Sequence, residues 1–471
     1  MGEDAIVSAL REAIGAPAVC TDRTILTLLA RDALHPERFA EPGQVVQPLC
    51  VVRAQHTQAV ATVLRLANVY NTPVIPVGGG SGLMGGAASV VPGVVLDLRQ
   101  LQEIHIRPAD RMADVGAGVT IAALNQAAAT HGLMCGHDPW TVAVATVGGT
   151  LSTNSLGYLG GKYGAMGHQA LGLEVVLPSG EILRTRAVEK TSTGPTLHSL
   201  FIGAEGCFGI ITRATLLLFP LPQERLLQAW RFDHFAAGFE AINALFNKGL
   251  RPGLLDYGDQ DPTATHDTPA ALFVSYEGPR RVAQAEAQEA STICKHSQGQ
   301  RLPQHEAQAF WEERHAIGDA YAATRASGKP WQRPRPQLDY LHVALPPSAV
   351  LSYRRQSLER LGRSGCQVHQ TGLWNHAGLF SLVYSGKERA MLTETHRELL
   401  MLCQDLHGSM EYCHGVGVRL AALMAREHGK GIEVLRRLKH SLDPGGILNP
   451  GKLDLSAGRM GQGTAPEAHE A

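Results

Sequence analysis

The first candidate for chemistry is a run of glycines in residues 76–87, which read Pro-Val-Gly-Gly-Gly-Ser-Gly-Leu-Met-Gly-Gly-Ala. A backbone without Cβ atoms can turn sharply and point successive N–H groups at an anion such as a pyrophosphate. Val74, Ile75 and Val77 before the glycines, and the apolar residues 94–98 after them, predict two buried strands. The glycine loop is therefore expected to join two strands, whereas the P-loop and the Rossmann motif need a helix directly after the glycines. A flexible surface turn is the alternative interpretation.

Two later segments share this bias toward small residues. Residues 137–164 combine glycines with serines and threonines, and residues 203–212 read Gly-Ala-Glu-Gly-Cys-Phe-Gly-Ile-Ile-Thr. Small side chains let a backbone lie against a flat ligand and form hydrogen bonds with its edge. One glycine loop is weak evidence for a ligand site, but three such segments in this order indicate a specific binding domain.

Two residues in the C-terminal half could act on a bound substrate. His414 stands in Glu-Tyr-Cys-His-Gly-Val-Gly, residues 411–417, and a histidine has a pKa suited to accepting a proton from a hydroxyl group. Arg314 stands in Phe-Trp-Glu-Glu-Arg-His-Ala-Ile, residues 310–317, and its planar guanidinium could bind a carboxylate. The alternatives are a structural histidine and a helix-surface ion pair between Arg314 and a neighbouring glutamate.

Composition excludes several classes of protein. The 471-residue chain has 44% hydrophobic and 18% charged residues, and 42 Lys and Arg balance 43 Asp and Glu to a net charge of -1. That balance gives no electrostatic reason to bind nucleic acid or an anionic membrane surface. The eight cysteines form no Cys-x-x-Cys pair, no apolar run approaches the length of a membrane span, and the N-terminus shows no targeting pattern. We expect a cytoplasmic protein without disulfides.

Helical and strand patterns divide the chain into regions. Residues 1–44 predict an N-terminal helical segment, and residues 45–221 alternate short strands and helices around the glycine-rich segments. Residues 222–440 contain amphipathic helices beside strands, which predicts an α+β cap domain over the substrate. Residues 454–471, rich in Gly, Ala and Glu, predict a disordered tail.

Two threonines predict the starts of helices in the first domain. Thr57 precedes the apolar stripe of Val60, Val63 and Leu64, and Thr120 precedes a second helical pattern that extends to residue 129. A threonine hydroxyl can accept a hydrogen bond from a free N–H group of the first turn. Both threonines are therefore expected to be capping residues.

Taken together, four sets of residues resemble the FAD-linked oxidoreductases of the vanillyl-alcohol-oxidase and p-cresol methylhydroxylase (PCMH) type. They are Pro-Val-Gly-Gly-Gly-Ser-Gly-Leu at 76–83, Asp-Pro at 138–139 with Thr-Val-Gly-Gly-Thr at 146–150 and Ser-Thr-Asn at 152–154, Gly-Ala-Glu-Gly-Cys-Phe-Gly at 203–209, and Leu-Asn-Pro-Gly-Lys at 448–452. Within that family, the chain resembles the group of D-lactate, D-2-hydroxyglutarate and glycolate dehydrogenases together with alkyldihydroxyacetonephosphate synthase.

The resemblance implies an α+β protein with FAD as its cofactor. A PCMH-type FAD-binding domain of two α/β subdomains would occupy residues 45–221, an α+β FAD-linked oxidase C-terminal cap domain residues 222–440, and a return to the FAD domain residues 441–453. Non-covalent binding is expected, because residues 78–86 contain no His or Cys to which the flavin could be attached. For Glu205, two roles are equally expected: a contact with the adenosine half of FAD and the cap of a turn. The implied FAD contacts are Pro76, Gly78, Gly79, Gly80, Ser81, Gly82, Pro139, Thr146, Gly149, Ser152, Asn154, Gly157, Glu205, Ile211 and Asn449.

The same resemblance assigns roles in the cap domain. His414 falls on the histidine of the family's Glu-His-Gly-Ile-Gly motif and on the last of three histidines before Gly-Val-Gly in the ether-lipid synthase, which implies a proton acceptor. Arg314 matches the dehydrogenases' Trp-x-x-Arg segment, which implies a ligand for the substrate carboxylate. The lysine that binds the distal carboxylate in hydroxyglutarate enzymes aligns with Tyr340, so hydroxyglutarate is not the expected substrate. Further polar candidates near the cap strand are His342, Arg333 and Arg335.

The resemblance also raises the question of a metal site. The dehydrogenases carry a His-x6-His pair, and here His369 and His376 keep that spacing but lose the Asp-Gly core between them. The dehydrogenases also place a Glu metal ligand just before the catalytic His, where this chain has Cys413, with Glu411 two residues further back. Two histidines and a thiolate could bind Zn²⁺. An alternative alignment along the apolar residues 379–384 places both histidines outside the motif, and we expect no metal.

These expectations combine into one function and its alternatives. We expect an FAD-dependent dehydrogenase or oxidase acting on CH–OH groups, which oxidises a D-2-hydroxy acid similar to D-lactate or glycolate, or a related small hydroxylated molecule, by hydride transfer to the flavin. The electron acceptor is unknown, and a homodimer is a possible assembly. The alternative is a non-redox flavin-dependent transferase similar to alkyldihydroxyacetonephosphate synthase, which residues 192–195 and 414–417 also resemble. A third possibility is a protein that binds flavin but catalyses no reaction.

Overall fold

The computed structural model describes residues 2–35, 38, 45–264, 268–328 and 337–455 of the chain. Arg333, Arg335 and residues 456–471, on which the sequence analysis makes predictions, lie outside these ranges. Within them, no helix combines the length and the apolar character that crossing a membrane requires. All eight cysteines are free thiols.

Short helices and strands alternate in the first half of the chain, and longer helices occur in the second half. The helices are α1 (Gly2–Ile14), α2 (Arg23–Leu29), α3 (Thr57–Val69), α4 (Ile121–Ala129), α5 (Val147–Ser152), α6 (Gly160–Tyr163), α7 (Met166–Gln169), α8 (Phe235–Asn247), α9 (Arg280–His296), α10 (Gln304–Glu313), α11 (Ala316–Ala326), α12 (Pro347–Arg363), α13 (Arg389–Asp405), α14 (Met424–His428) and α15 (Gly431–Leu442). The strands are β1 (Val19–Cys20), β2 (Cys50–Arg53), β3 (Val74–Val77), β4 (Val94–Asp97), β5 (Ile104–Arg107), β6 (Met112–Gly116), β7 (Leu133–Met134), β8 (Ala170–Val176), β9 (Ile182–Arg184), β10 (Ile210–Leu217), β11 (Phe219–Pro220), β12 (Glu224–Phe232), β13 (Leu255–Gln260), β14 (Ala270–Gly278), β15 (Gln300–Arg301), β16 (Leu338–Ala344), β17 (Gln367–Trp374) and β18 (Leu379–Ser385).

The glycine loop, residues 76–87, follows the carboxyl end of a strand in a mainly parallel sheet. The sheet has the strand order β1-β2-β4-β3, in which β2, β4 and β3 are parallel and β1 is antiparallel to β2. The sequence prediction that the loop joins two strands is confirmed, because β3 ends at the glycines and β4 follows them. Ligands of open α/β sheets bind at the carboxyl ends of the strands, so this position suits a binding loop.

The second half of the first domain is an antiparallel sheet with the order β5-β6-β10-β8-β9. The short helix α5 packs against β10, and its N-cap is Thr146, whose hydroxyl accepts a hydrogen bond from Gly149 N over 3.3 Å. The second glycine-rich segment is therefore ordered by this capped helix and by the sheet behind it.

One of the two predicted helix caps is correct. The Thr120 hydroxyl accepts a hydrogen bond from Ala123 N over 3.2 Å at the start of α4, as predicted. At α3 the prediction is wrong, because the ring Nδ1 of His56 accepts from Ala59 N over 3.1 Å and Thr57 is already the first helical residue. The N-terminal region also holds more than a single helix, since β1 and α2 follow α1.

The C-terminal half forms an α+β cap domain, as predicted. Its seven-stranded sheet is antiparallel, with the order β15-β12-β14-β13-β17-β18-β16. Helices α8 and α9 pack against β12 and β14, while α12 packs against β17 and α13 against β16. Large side chains that include Trp230, Tyr257, Tyr276 and Phe380 are fully buried between these layers. The apolar face of each element is thereby removed from water.

The chain returns to the first sheet after α15. Leu448 forms a parallel bridge with Val74 in β3, and Asn449 N donates a hydrogen bond to Val74 O over 2.9 Å. This return extends the parallel sheet by one short segment beside the glycine loop.

A buried lysine holds the return segment in place. Lys439 Nζ donates to the carbonyl oxygens of Cys207 and Leu448, each over 2.8 Å, and forms an ion pair with Asp443 over 2.5 Å. The Asp443 carboxylate also accepts a hydrogen bond from Leu448 N over 2.8 Å. A fully hydrogen-bonded buried pair of this kind is costly to break, because removing one partner leaves the other charge uncompensated.

We predict that Lys439→Met lowers the free energy of unfolding by about 3–5 kcal/mol, since it leaves the Asp443 carboxylate and two carbonyl groups without their donor. Urea unfolding of the FAD-loaded protein measures this change. Arg437→Met on the exposed face of the same helix is the matched control and should change stability by about 0.5 kcal/mol or less. A loss of less than about 1 kcal/mol for Lys439→Met would contradict the prediction.

Candidate active site

A cleft lies between the glycine-rich segments of the first domain and one loop of the cap domain. Cys413 and His414 are the cap-domain residues in its wall. The predicted FAD contacts that line it are Pro76, Gly78, Gly79, Gly80, Ser81, Gly82, Pro139, Thr146, Gly149, Ser152, Glu205 and Ile211.

The glycine loop fits an anionic group. Within the part of the chain that the structure describes, the backbone N–H groups of residues 78–82 donate no hydrogen bond, so they are available to a ligand. A Cβ on Gly78 would collide with the Thr146 hydroxyl, and a Cβ on Gly79 would collide with Val144 O. Gly80 has a φ of +66°, which favours glycine. The loop therefore combines unused donors with a close approach to the second glycine-rich segment, as a pyrophosphate site requires.

Three of the predicted FAD contacts lie behind the wall of the cleft. Asn154 Oδ1 accepts a hydrogen bond from Gly167 N over 3.0 Å, and Gly157 O accepts one from the cap domain over 3.0 Å. Asn449 Nδ2 donates to Glu205 O over 2.6 Å. These residues shape the cleft through backbone contacts, and their direct contact with FAD stays a prediction.

Glu205 connects the two domains. Its Oε1 accepts hydrogen bonds from Val416 N over 2.6 Å and from Gly417 N over 3.0 Å, and its Oε2 accepts from Gly417 N over 2.9 Å. Burial raises the pKa of Glu205 to about 7. These contacts fit the alternative in which Glu205 caps a turn. The turn is the one at Val416 and Gly417, which belongs to the C-terminal domain. Because Glu205 also lines the cleft, a contact with the adenosine half of FAD stays a prediction.

His414 lies on residues 409–419, which we name the histidine loop. At the start of the loop, Ala344 N donates to Ser409 O over 3.0 Å and Ser409 N donates to Ala344 O over 2.8 Å, which fixes the loop beside β16. Near its end, Val418 N donates to Met84 O in the glycine loop over 3.1 Å. The histidine loop is thus attached to the cap sheet at one end and to the FAD-binding loop at the other.

The structure explains why residues 415 and 417, which follow His414, are glycines. Gly415 has a φ of +82° and Gly417 a φ of +54°, in the left-handed region that favours glycine. A Cβ on Gly415 would lie 2.6 Å from Glu205 Oε1, and one on Gly417 would collide with Met84 O. The close approach of the histidine loop to the FAD domain therefore excludes larger residues at both positions.

The imidazole of His414 lies in a cluster of polar rings. Its ring centroid is 4.7 Å from that of His342 and 5.8 Å from that of Tyr340. His342 Nδ1 lies 3.3 Å from the Tyr412 hydroxyl. Glu411 Oε1 lies 3.4 Å from His414 Nδ1. The sequence analysis names His342 only as a polar candidate and does not single out Tyr412, because nothing in the sequence shows that β16 and the histidine loop are neighbours.

The charges around His414 favour its protonated form. Burial opposes the charge, but Cys413 and Glu411 outweigh burial and raise the pKa of His414 well above its usual range. Burial likewise favours the neutral form of Glu411, yet the His414 imidazole lowers the pKa of that carboxyl. The resting pair is therefore an imidazolium beside a carboxylate. His414 must lose its proton before it can accept one from a substrate.

Arg314 lies outside the lining of the cleft. Its Nε is 2.9 Å from Asp138 Oδ2, and its guanidinium carbon is 3.6 Å from the centre of the Trp311 ring. His315 Nε2 lies 2.9 Å from the other oxygen of Asp138. Arg314 thus forms an ion pair, as in the alternative interpretation, but with a residue of the FAD domain instead of a neighbouring glutamate. Its binding of a substrate carboxylate stays a prediction.

The structure does not bring the candidate zinc ligands together. His369 Nε2 lies 2.7 Å from Ser385 Oγ, and the ring centroid of His376 is 4.6 Å from that of Phe246. Cys413 belongs to the histidine loop. Within the described ranges, no three His, Cys, Asp or Glu residues are arranged to hold a metal ion.

Asp32 is a cleft residue that the sequence analysis missed. It lies in the wall near the glycine loop, and within the described ranges its Oδ2 has no hydrogen-bond partner. Burial raises the pKa of Asp32 to about 6. The sequence shows only an acidic residue in a polar segment, and no spacing rule connects it to a loop so much later in the chain.

The fold and the cleft define a two-domain flavin enzyme, in which the cleft lies between the glycine-rich segments of one domain and a loop of the other. The model of the FAD binding domain matches residues 48–186, and the model of the FAD linked oxidases' C-terminal domain matches residues 221–453. The chain belongs to the FAD-linked oxidase family. It is an oxidoreductase, and its cofactor is FAD.

Relatives with named activities cover most of the chain. It is 30% identical to D-lactate dehydrogenase of Archaeoglobus fulgidus in an alignment of 445 positions, which covers 88% of this chain and 95% of the relative. It is 26% identical to the glycolate oxidase subunit GlcD of Bacillus subtilis, over 88% of this chain and 90% of the relative. The structure of alkyldihydroxyacetonephosphate synthase has the same fold, with a TM-score of 0.76 and 18% identity over 95% of this chain and 86% of that one.

We predict that the purified protein is yellow and that acid precipitation releases the flavin into the supernatant. Cys135 and His137 do not line the cleft, and His137 Nε2 is already 2.9 Å from Ser155 Oγ. A yellow pellet would contradict non-covalent binding. Cys413 and His414 do line the cleft, so they would then be candidate attachment sites. Mass spectrometry of the flavin-bearing peptide would show whether the flavin is attached to one of them or to Cys135 or His137.

Proposed function

We propose that the protein is an FAD-dependent dehydrogenase that oxidises a D-2-hydroxy acid of the lactate or glycolate kind. The observation that carries the proposal is that His414 lines the FAD cleft while Glu411 Oε1 lies 3.4 Å from its Nδ1. The relatives named D-lactate dehydrogenase and glycolate oxidase subunit support this substrate class. A histidine held by a carboxylate is suited to moving the proton of a hydroxyl group.

Each side chain around the substrate has a separate task in this proposal. Bound FAD supplies the acceptor for the hydride of the carbinol carbon. Neutral His414 accepts the hydroxyl proton, and Glu411 stabilises the imidazolium that results. His342 packs against the imidazole of His414 and is itself held by the Tyr412 hydroxyl, 3.3 Å from its Nδ1, so that the pair fixes the orientation of His414. The cap domain thereby delivers acid–base chemistry to a cofactor held by the first domain.

Tyr340 favours a substrate with a single carboxylate, because it stands at the position where hydroxyglutarate enzymes have the lysine that binds the distal carboxylate.

We predict that His414→Asn keeps the fold and the FAD but slows flavin reduction by the hydroxy acid on the order of 10²-fold or more, because the proton acceptor is lost. Stopped-flow reduction at saturating substrate, without oxygen, measures this step independently of the electron acceptor. His407→Asn is the control, since His407 is exposed and has a φ of +59°, which asparagine adopts readily. Lower stability and flavin content with a normal reduction rate would indicate a structural histidine.

We predict that the reduction rate rises with pH, because only neutral His414 accepts a proton and the pKa of His414 is raised. Glu411→Gln removes the adjacent negative charge and lowers that pKa, so the rise moves to lower pH by about one unit or more. Glutamine keeps an oxygen that can accept the backbone N–H groups of Cys413 and His414, as Glu411 Oε1 does. The pH profile of the reduction rate constant measures the shift. An unchanged profile would exclude His414 as the titrating group.

Anaerobic bleaching of the flavin by D- and L-2-hydroxy acids tests the proposed substrate class. Bleaching by a D-2-hydroxy acid supports the dehydrogenase. If no hydroxy acid bleaches the flavin, while an acylated dihydroxyacetone phosphate changes its spectrum without net reduction, the alternative transferase replaces it. The fold shared with alkyldihydroxyacetonephosphate synthase is the observation that keeps this alternative.

A further inference from the structure

A helix of the cap domain lies across the glycine loop. Gly318 in α11 approaches Trp140 so closely that a Cβ would collide with Trp140 O. The Tyr321 hydroxyl, one turn further along α11, donates a hydrogen bond to Gly80 O over 2.6 Å. Helix α11 is therefore held against both glycine-rich segments, beside residues 78–82 of the cleft wall.

The next turn of α11 carries a cation to the same place. The guanidinium carbon of Arg325 lies 2.7 Å from the position that a Cβ on Gly80 would occupy. Its Nη1 lies 3.2 Å from the Tyr321 hydroxyl. Its Nη2 is buried and has no hydrogen-bond partner within the described ranges. Arg99, by contrast, forms two hydrogen bonds with the carboxylate of Asp97, over 2.8 and 2.7 Å.

The described lining of the cleft offers a pyrophosphate no Lys or Arg side chain. Asp32 and Glu205 in this lining are carboxylic acids, and the imidazole of His414 is already paired with Glu411. A pyrophosphate in the glycine loop would therefore receive neutral N–H donors but no unpaired positive charge from this lining. A partly buried guanidinium group with one nitrogen left unpaired is itself costly, and an anion removes that cost.

We propose that Arg325 binds the FAD pyrophosphate, so that the cap domain supplies a cation that the described lining of the cleft does not. Arginine presents a planar fork of donors that matches phosphate oxygens. Helix α11 then closes over the cofactor, and FAD binding strengthens the contact between the two domains. This role concerns cofactor binding alone and does not depend on which substrate the enzyme oxidises.

The test is the release of FAD from the holoenzyme. Diluted holoenzyme is equilibrated at several KCl concentrations, and free FAD is measured by its fluorescence. For Arg325→Met we expect the Kd for FAD to rise on the order of 10- to 100-fold, as for loss of a hydrogen bond to a charged group. Because salt screens charge–charge attraction, the Kd of Arg325→Met should also depend less on KCl than that of the wild type.

Two further variants separate charge from folding. Arg325→Lys keeps the charge and should restore most of the affinity and of the salt dependence. Arg281→Met removes one positive charge from an exposed position of α9 and should behave as the wild type. A wild-type Kd and salt dependence in Arg325→Met would overturn the proposal. If Arg325→Met fails to fold, two other results would overturn the proposal. One is FAD release from the wild type that is insensitive to KCl. The other is an Arg325→Lys variant that binds FAD on the order of 10- to 100-fold more weakly than the wild type and shows no salt dependence.

Discussion

The contact on which the site depends is the hydrogen bonding of the Glu205 carboxylate with the backbone of the histidine loop. Left-handed turns at Gly415 and Gly417 point the N–H groups of Val416 and Gly417 away from the cap domain. Without an acceptor, these donors would be buried and unpaired, which costs about 1–3 kcal/mol each. The FAD domain supplies that acceptor. The position of His414 is therefore fixed relative to the cofactor cleft and does not depend on the cap sheet alone.

Asp32 and Glu205 line the cleft, and Lys452 interacts with both of them. Burial raises the pKa of Asp32 to about 6 and that of Glu205 to about 7, and it lowers the pKa of Lys452 to about 8. Near neutral pH the positive charge of Lys452 therefore offsets part of the negative charge of the two acids. The backbone N–H groups of the glycine loop provide directional binding. The charge of the pyrophosphate is left to groups outside the lining, and Arg325 occupies the matching place.

Features that depend on local sequence were predictable, and features that depend on distant contacts were not. The strands around the glycine loop and the Thr120 cap follow from apolar patterns and from the chemistry of a single side chain. The cap at His56 was missed because an imidazole can accept the same hydrogen bond as a hydroxyl, which a composition rule does not anticipate. The pairing of Arg314 with Asp138 joins two domains, so no periodicity or spacing could reveal it.

The cap domain contacts the glycine loop at two points, and this explains how one loop can serve both domains. Gly80 O accepts the hydrogen bond from Tyr321 in α11, and Met84 O accepts the one from Val418 in the histidine loop. A flexible surface turn would leave both carbonyls to water, whereas here both are fixed by the cap domain. The glycine loop is thus held both by α11 and by the loop that carries His414.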